Sequence, residues 1–154
     1  IIALLAGILY PSLAKAKALG RSAACKGNLH AAGVAMRMYL NGSNDVLPMA
    51  AAMPSEKLTT EPRIADVLAP HLSSPEVLRC PADIEKNFFA SEGSSYMYNT
   101  LLGGRQVGKD FLTRRLGENH SPVLYDYEPY HGRKGTPGAA NYLFADLHVG
   151  DLVD

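Results

Sequence analysis

Carboxylate and imidazole side chains near the C-terminus are the groups of this sequence best suited to chemistry. Asp146 and His148 are two positions apart, so on a β-strand they would lie on the same face. Asp126 and His131 come earlier, in a strand candidate and the loop after it, and the four together would make an oxygen-and-imidazole site for a divalent metal. The spacing of these residues is not that of a metalloprotease. It favours an alternative in which they cap turns and make hydrogen bonds at the surface. No phosphate-binding loop and no nucleophile motif accompanies these residues.

Two cysteines, Cys25 and Cys80, are the other reactive groups. In an exported protein such a pair predicts a disulfide, and on the entropy model closing this loop would stabilise the fold by about 4 kcal/mol. In a reducing compartment the same residues would be two buried thiols. Spacing alone does not decide between a disulfide and free thiols, because the bond requires a specific geometry.

The charge balance bears on the class of partner. The chain of 154 residues has 15 Lys and Arg against 15 Asp and Glu, which argues against nucleic acid as the main partner. Positive residues cluster between Lys15 and Arg37. Such a patch either binds acidic lipid headgroups next to a membrane segment or forms a solvated helix face. The length fits one domain with a protruding element.

A long N-terminal helix is predicted to position Cys25. No proline occurs between Ser12 and Leu47, and a continuous helix over 1–40 would be a rod of about 60 Å. From Cys25 onward the apolar side chains recur every three or four residues, so one stripe is predicted to dock on a globular body. This stripe consists of Cys25, Leu29, Ala32, Met36, Tyr39 and Leu40, with Lys26, Asn28, His30 and Arg37 lying off it.

The first ten residues, Ile1–Tyr10, carry no charge. They are therefore predicted to lie in a membrane, in another subunit or in a partner, with a buried helix of a soluble protein as the alternative. About ten apolar residues are too few to span a bilayer. Because the sequence begins without Met, further apolar residues are expected to precede Ile1.

Shorter elements are predicted for the rest of the chain. A breaker cluster at 41–45 ends the long helix near Leu40, and 46–61 forms an irregular connection. A short helix is expected over 63–69 and a helical turn over 109–116. Five strands are predicted to build a small antiparallel sheet, with centres near Val77, Tyr96, Val123, Tyr142 and Val149.

Several stretches resemble bacterial filament proteins. Ile1–Lys17, with its Pro11, resembles the N-terminal helix of type IV pilins and type II secretion pseudopilins. Cys25–Leu29, and Cys80–Asp83 followed by Ser95–Asn99, resemble segments of a pseudopilin-like subfamily. In the stretch Cys80–Asp83, the Asp83 side chain is predicted to accept hydrogen bonds from backbone N–H groups in a turn.

The C-terminal part resembles the prepilin-type processing-associated domain. The family's motif is a His, a Gly-rich loop and a final hairpin, matched here by His131, Asn141, Phe144, Asp146, His148 and Val149. Leu147 stands where the family usually has Gly, so the hairpin is expected to have a different turn. The family's N-terminal motif, a Gly followed by Phe-Thr and then a Glu, would lie upstream of Ile1. The peptidase site, the methylated Phe and the helix Glu of the family are therefore assigned to no residue of this sequence.

The resemblance implies a pilin-like α+β fold, in which an N-terminal helix over 1–41 packs on the small antiparallel sheet of a head domain over 42–154. It implies a structural subunit of a type IV pilus-like or type II secretion pseudopilus filament, with no enzymatic activity and no expected cofactor. Its partners would be copies of itself, related pilins and the assembly machinery. Before assembly it would reside in the inner membrane, and afterwards in a periplasmic or extracellular filament. The helix residues facing membrane or filament would be Ile1, Ile2, Ala3, Leu4, Leu5, Ala6, Gly7, Ile8, Leu9 and Pro11.

Further expectations concern metals and helix contacts. Some pseudopilins hold calcium in a C-terminal loop, which makes Asp146 and Asp151 candidate ligands by resemblance. Ala3, Ala6 and Gly7 are small enough for close helix approach, so a bulky residue at position 7 is expected to weaken assembly and leave the head folded. The alternative function is a membrane-anchored extracytoplasmic binding or hydrolytic domain built around a divalent metal.

Overall fold

The computed structural model of the protein describes residues 2–152, with side chains from residue 10 onward. A long helix, α1, covers Ile2–Gly42 and contains Pro11. Of the residues expected to face membrane or filament, Ile1 and the side chains of Ile2–Leu9 lie outside the described part. Three short α-helices follow: α2 (Ile64–Leu68), α3 (Phe88–Glu92) and α4 (Phe111–Leu116).

The rear half of α1 docks through the predicted stripe. Cys25, Leu29, Ala32, Met36 and Leu40 all have no exposed surface, and Tyr39 packs partly against the same core. Residues 10–20 are exposed throughout. The periodicity therefore identified the docked face correctly. None of the described helices combines the length and the apolar character needed to cross a membrane.

Four antiparallel strands form the sheet in the order β1-β2-β3-β4. They are β1 (Tyr96–Tyr98), β2 (Pro122–Asp126), β3 (Tyr142–Phe144) and β4 (Val149–Gly150). Gly33 of α1 lies over β3, where an added Cβ would come within 2.8 Å of Leu143 Cδ1. A long N-terminal helix packed on a small antiparallel sheet confirms the predicted α+β, pilin-like architecture.

The strand predicted near Val77 is wrong. Residues Pro75–Leu78 form a 3₁₀ helix instead. Pro75 occupies the first turn, where a missing N–H costs nothing, and Ser74 Oγ accepts the Glu76 N–H at 3.3 Å. This helix start outweighs the β propensity of a single valine. The strands predicted near Tyr96, Val123, Tyr142 and Val149 are confirmed.

The β3–β4 turn also differs from expectation. Leu147 was expected to change the turn, yet it adopts a positive φ of 71°, a conformation that usually favours Gly. Side-chain packing against the core holds Leu147 in this conformation. Asp146 Oδ1 accepts the His148 N–H at 3.1 Å across the same turn. Local hydrogen bonding and burial thus replace the glycine.

The turn after Cys80 is organised by Asp83, as the sequence predicts. Its buried carboxylate accepts the N–H groups of Phe88 and Phe89 at 3.1 and 3.0 Å and the Ser95 hydroxyl at 2.7 Å. These bonds connect the turn to α3 and to the start of β1. Asp83 therefore holds the segment that carries Cys80 against the sheet.

Replacing Asp83 by Ala is expected to destabilise the protein by about 2–3 kcal/mol, since three donors lose a charged acceptor. Denaturant unfolding of the variant measures the loss. Asp66→Ala is the matched control, because Asp66 makes an exposed pair with Arg63 and should cost under about 1 kcal/mol. Equal losses in the two variants would contradict the organising role of Asp83.

Candidate functional site

Four chemically reactive side chains meet where Cys25 of α1 contacts Tyr96 of β1 and Asp126 of β2. Cys25 comes from the middle of α1, and Cys80 follows the 3₁₀ helix Pro75–Leu78. Asp126 ends β2, and His131 lies in the loop beyond it. One potential ligand atom of each residue lies within 4.8 Å of the corresponding atoms of the other three.

Within this cluster of Cys25, Cys80, Asp126 and His131 the contacts are short. Each cysteine sulfur contacts either a carboxylate oxygen or an imidazole nitrogen. Cys25 Sγ donates to Asp126 Oδ1 at 3.4 Å, and Cys80 Sγ lies 3.5 Å from His131 Nε2. His131 Nε2 is 3.6 Å from Asp126 Oδ2. The cysteines have no exposed surface, and the His131 and Asp126 side chains are 2% and 0% exposed. All four groups are therefore shielded from solvent.

Neighbouring polar groups orient the cluster. Asn141 donates its backbone N–H and its Nδ2 to Asp126 Oδ2 at 2.8 and 3.1 Å. Tyr96 lies opposite Asp126 in the β1–β2 register, and its hydroxyl donates to the Cys25 carbonyl at 3.2 Å while lying 3.4 Å from Cys25 Sγ. Asn141 thus orients Asp126, and Tyr96 of β1 contacts Cys25.

Burial and mutual contact set the protonation of the cluster. Burial raises the pKa of the Asp126 carboxyl to about 7. The hydrogen bond between the two thiols raises the pKa of Cys25, with burial and the Asp126 charge adding to the effect. The same bond lowers the pKa of Cys80 to about 5, against the effect of burial and with help from His131. Cys80 is therefore the thiol that ionises first.

The structure separates the five residues predicted as metal ligands into groups. Asp126 and His131 lie together in the cluster. Asp146 and His148 lie not on a strand, as predicted, but in the turn between β3 and β4, where they pair with each other on the surface, Nδ1 to Oδ1 at 2.6 Å. Asp151 accepts the backbone N–H groups of Gly138 and Leu152. The last three residues are not members of the cluster.

The two cysteines, for which the spacing left a disulfide and two buried thiols as alternatives, are both buried and free. Their sulfurs are near one another but not at bonding distance. The disulfide therefore stays a prediction. Sequence reasoning did not place Cys25 and Cys80 with Asp126 and His131, and it did not identify Asn141 as the residue that orients the carboxylate.

Complete burial indicates which chemistry the cluster can perform. A catalytic metal centre keeps one position open to water or substrate, whereas a structural centre is closed by its protein ligands. The side chains of all four groups are buried, so they are better placed to hold an ion or form a covalent link than to meet a substrate. This geometry favours a structural role over the hydrolytic alternative.

Comparison with known proteins yields no relative. No protein-family model, no curated protein and no solved structure matches this chain. The resemblance to pilins is carried by the sequence stretches quoted above.

Proposed function

We propose that this chain is a structural subunit of a pilin-like helical filament, of the type IV pilus or type II secretion pseudopilus kind. The supporting observation is the division of α1 into two halves. The half from Cys25 to Leu40 is docked on the head, whereas residues 10–24 include no buried side chain. A helical segment of about 20 Å therefore extends from the head.

The extending segment, residues 10–24, presents apolar groups to its surroundings. Tyr10, Leu13 and Leu19 are 78%, 70% and 63% exposed. Leu13, Ala16 and Gly20 follow one another at steps of three and four, so they lie on one face of α1. A Cβ added at Gly20 would have no neighbour within 4 Å. The small residues of this face, Ala16 and Gly20, would allow a second helix to approach closely.

Packing of the extending segments against one another would bury these apolar groups. Each subunit would contribute the same helix to a bundle and keep its head outside, since the head is attached to the rear of α1. We infer that neighbouring subunits use different surfaces for this contact and that the rotation between them does not close, because such contacts then produce an open filament rather than a ring.

Replacing Leu13 by Glu is expected to abolish assembly, because a charge would be buried in the helix bundle. The variant is introduced into the native gene, and filaments are measured in the sheared cell-surface fraction and by electron microscopy. Leu101→Glu is the matched control, since Leu101 is 69% exposed but lies on the head. It should leave the filament yield unchanged.

Both purified variants should unfold at the wild-type denaturant midpoint, which separates an assembly defect from misfolding. Wild-type filament yield in Leu13→Glu would contradict the proposal. A closed oligomer of fixed mass in solution, in place of filaments, would contradict it as well.

A further inference from the structure

The geometry points to a structural zinc site in which Cys25, Cys80, Asp126 and His131 bind one Zn²⁺ ion and fasten α1 to the head. This inference does not depend on the filament proposal. It stands on the distances within the cluster, its set of donor atoms and the groups that orient them.

The spacing of the donor atoms fits a tetrahedral ion. With Zn–S near 2.3 Å and Zn–N or Zn–O near 2.0 Å, the edges of the tetrahedron are about 3.3–3.8 Å. Two of these edges are present: 3.4 Å from Cys25 Sγ to Asp126 Oδ1 and 3.5 Å from Cys80 Sγ to His131 Nε2. His131 Nε2 also lies 3.6 Å from Oδ2, the other oxygen of the same carboxylate. The remaining separations do not exceed 4.8 Å. Small side-chain adjustments would bring all four donors to the ion.

The donor set selects the metal. Two thiolates and an imidazole disfavour Ca²⁺ and Mg²⁺, which prefer oxygen ligands, and a four-coordinate mixture of sulfur, nitrogen and oxygen suits Zn²⁺. A divalent cation would also offset the negative charges that the buried cluster gathers. Among the described residues, the basic partner of Asp126 is His131 alone.

The outer shell is arranged as a metal site requires. Asn141 occupies Oδ2 of Asp126 with two hydrogen bonds and leaves Oδ1 directed toward Cys25. The Tyr96 hydroxyl lies beside Cys25 Sγ. Such second-shell contacts fix the orientation of ligating side chains.

The position of the site explains what the ion would do. Along the described part of α1, Cys25 is the first buried residue, and the segment before it extends from the head. An ion at Cys25 would therefore attach the helix to the sheet at the point where it leaves the head. Because the three other ligands come from the head, the ion would oppose lateral motion of the extending segment.

The experiment begins with the full chain expressed in zinc-supplemented medium and purified anaerobically without reductant. Metal analysis is expected to give one zinc per chain. The same protein produced with Co²⁺ is expected to show tetrahedral d–d bands and thiolate-to-cobalt charge transfer. Since the sequence has two cysteines, a two-thiolate spectrum can arise only from Cys25 and Cys80.

Variants then locate the ion. Cys80→Ser is expected to weaken zinc binding by at least about a hundredfold, the upper limit of what outer-shell substitutions cost. His148→Ala is the control, because it removes an imidazole that pairs with the Asp146 carboxylate on the surface. This variant should retain one zinc per chain.

Three results would overturn the inference. The first is wild-type protein that lacks stoichiometric zinc. This includes a protein whose intact mass is lower by two hydrogens because Cys25 and Cys80 have formed a disulfide. The second is a cobalt spectrum that lacks thiolate charge transfer, a readout that does not depend on the folding of any variant. The third is zinc retained by Cys80→Ser or lost from His148→Ala.

Discussion

The Asp126→Asn variant of the reduced, metal-free chain is expected to gain stability relative to wild type as the pH rises from about 4 to about 7. Burial raises the pKa of the Asp126 carboxyl from 3.8 to about 7 in the folded chain. Between these values the folded wild type retains a proton that the unfolded chain has released, so its stability falls as the pH rises. Below the lower value both states are protonated and the penalty vanishes. The full effect is about 4 kcal/mol, and Asn does not titrate.

The comparison isolates Asp126 from its neighbours. The titratable groups that interact with the carboxyl are Cys25 from α1, Tyr96 from β1, Tyr142 from β3, and Cys80, Tyr130 and His131 from the head loops. All of them remain in the variant, so their own titrations largely cancel in the difference. Asn also retains an oxygen for the Asn141 N–H and an N–H₂ group for Cys25 Sγ. Denaturant unfolding of both proteins across the pH range, with chelator and reductant present, measures the difference.

Asp146→Asn serves as the control of opposite sign. The pKa of the Asp146 carboxyl is lowered, because its hydrogen bonds with His148 outweigh partial burial. A lowered pKa stabilises the folded state above the unfolded value, and this stabilisation is lost as the pH falls. The Asp146 variant should therefore lose stability relative to wild type as the pH rises through about 4. A pH-independent difference for Asp126→Asn would show that its carboxyl is not held protonated by burial.

The helix was the most predictable part of this fold. Which face of α1 docks depends on spacing alone, because residues three or four apart lie together whatever they contact. Leu29 and Met36 were accordingly placed in the core by sequence. The sequence did not indicate that Gly33 would allow β3 to approach, since that contact depends on Leu143 far along the chain.

The strands were predictable where side-chain alternation was supported by tertiary contacts. Tyr96 and Tyr98 share one buried face of β1, as their spacing required. At Val77, local apolar character was misleading, because Ser74 and Pro75 start a 3₁₀ helix. Ser74 and Pro75, which lie just before the apolar residues Val77 and Leu78, decide the conformation of this segment. A Ser followed by Pro is a helix-start pattern that can be recognised from the sequence.

The candidate site was predicted in two separate halves. Cys25 and Cys80 were paired through their chemistry, and Asp126 and His131 through their closeness in sequence. Nothing local relates the first pair to the second, since α1, the turn after the 3₁₀ helix and the end of β2 meet only in the folded chain. Asp146 and His148 were also paired because they are close in sequence. In the structure they bond to each other in a surface turn.

The division of α1 has a direct energetic consequence. Replacing Leu29 by Ala is expected to destabilise the protein by about 2–5 kcal/mol. The Leu29 side chain has no exposed surface, and its truncation would leave a cavity between α1 and the head. Denaturant unfolding followed by circular dichroism measures the loss.

The same substitution at Leu19 provides the matched control, because Leu19 lies in the same helix, before Leu29, but is 63% exposed. Leu19→Ala removes little buried surface and places a good helix former in the chain, so the expected change is within about 0.5 kcal/mol. A large loss from Leu19→Ala would mean that the front of α1 is packed against the head in the isolated subunit. It would then have no free apolar face to offer a neighbour, and the filament proposal would lose its supporting observation.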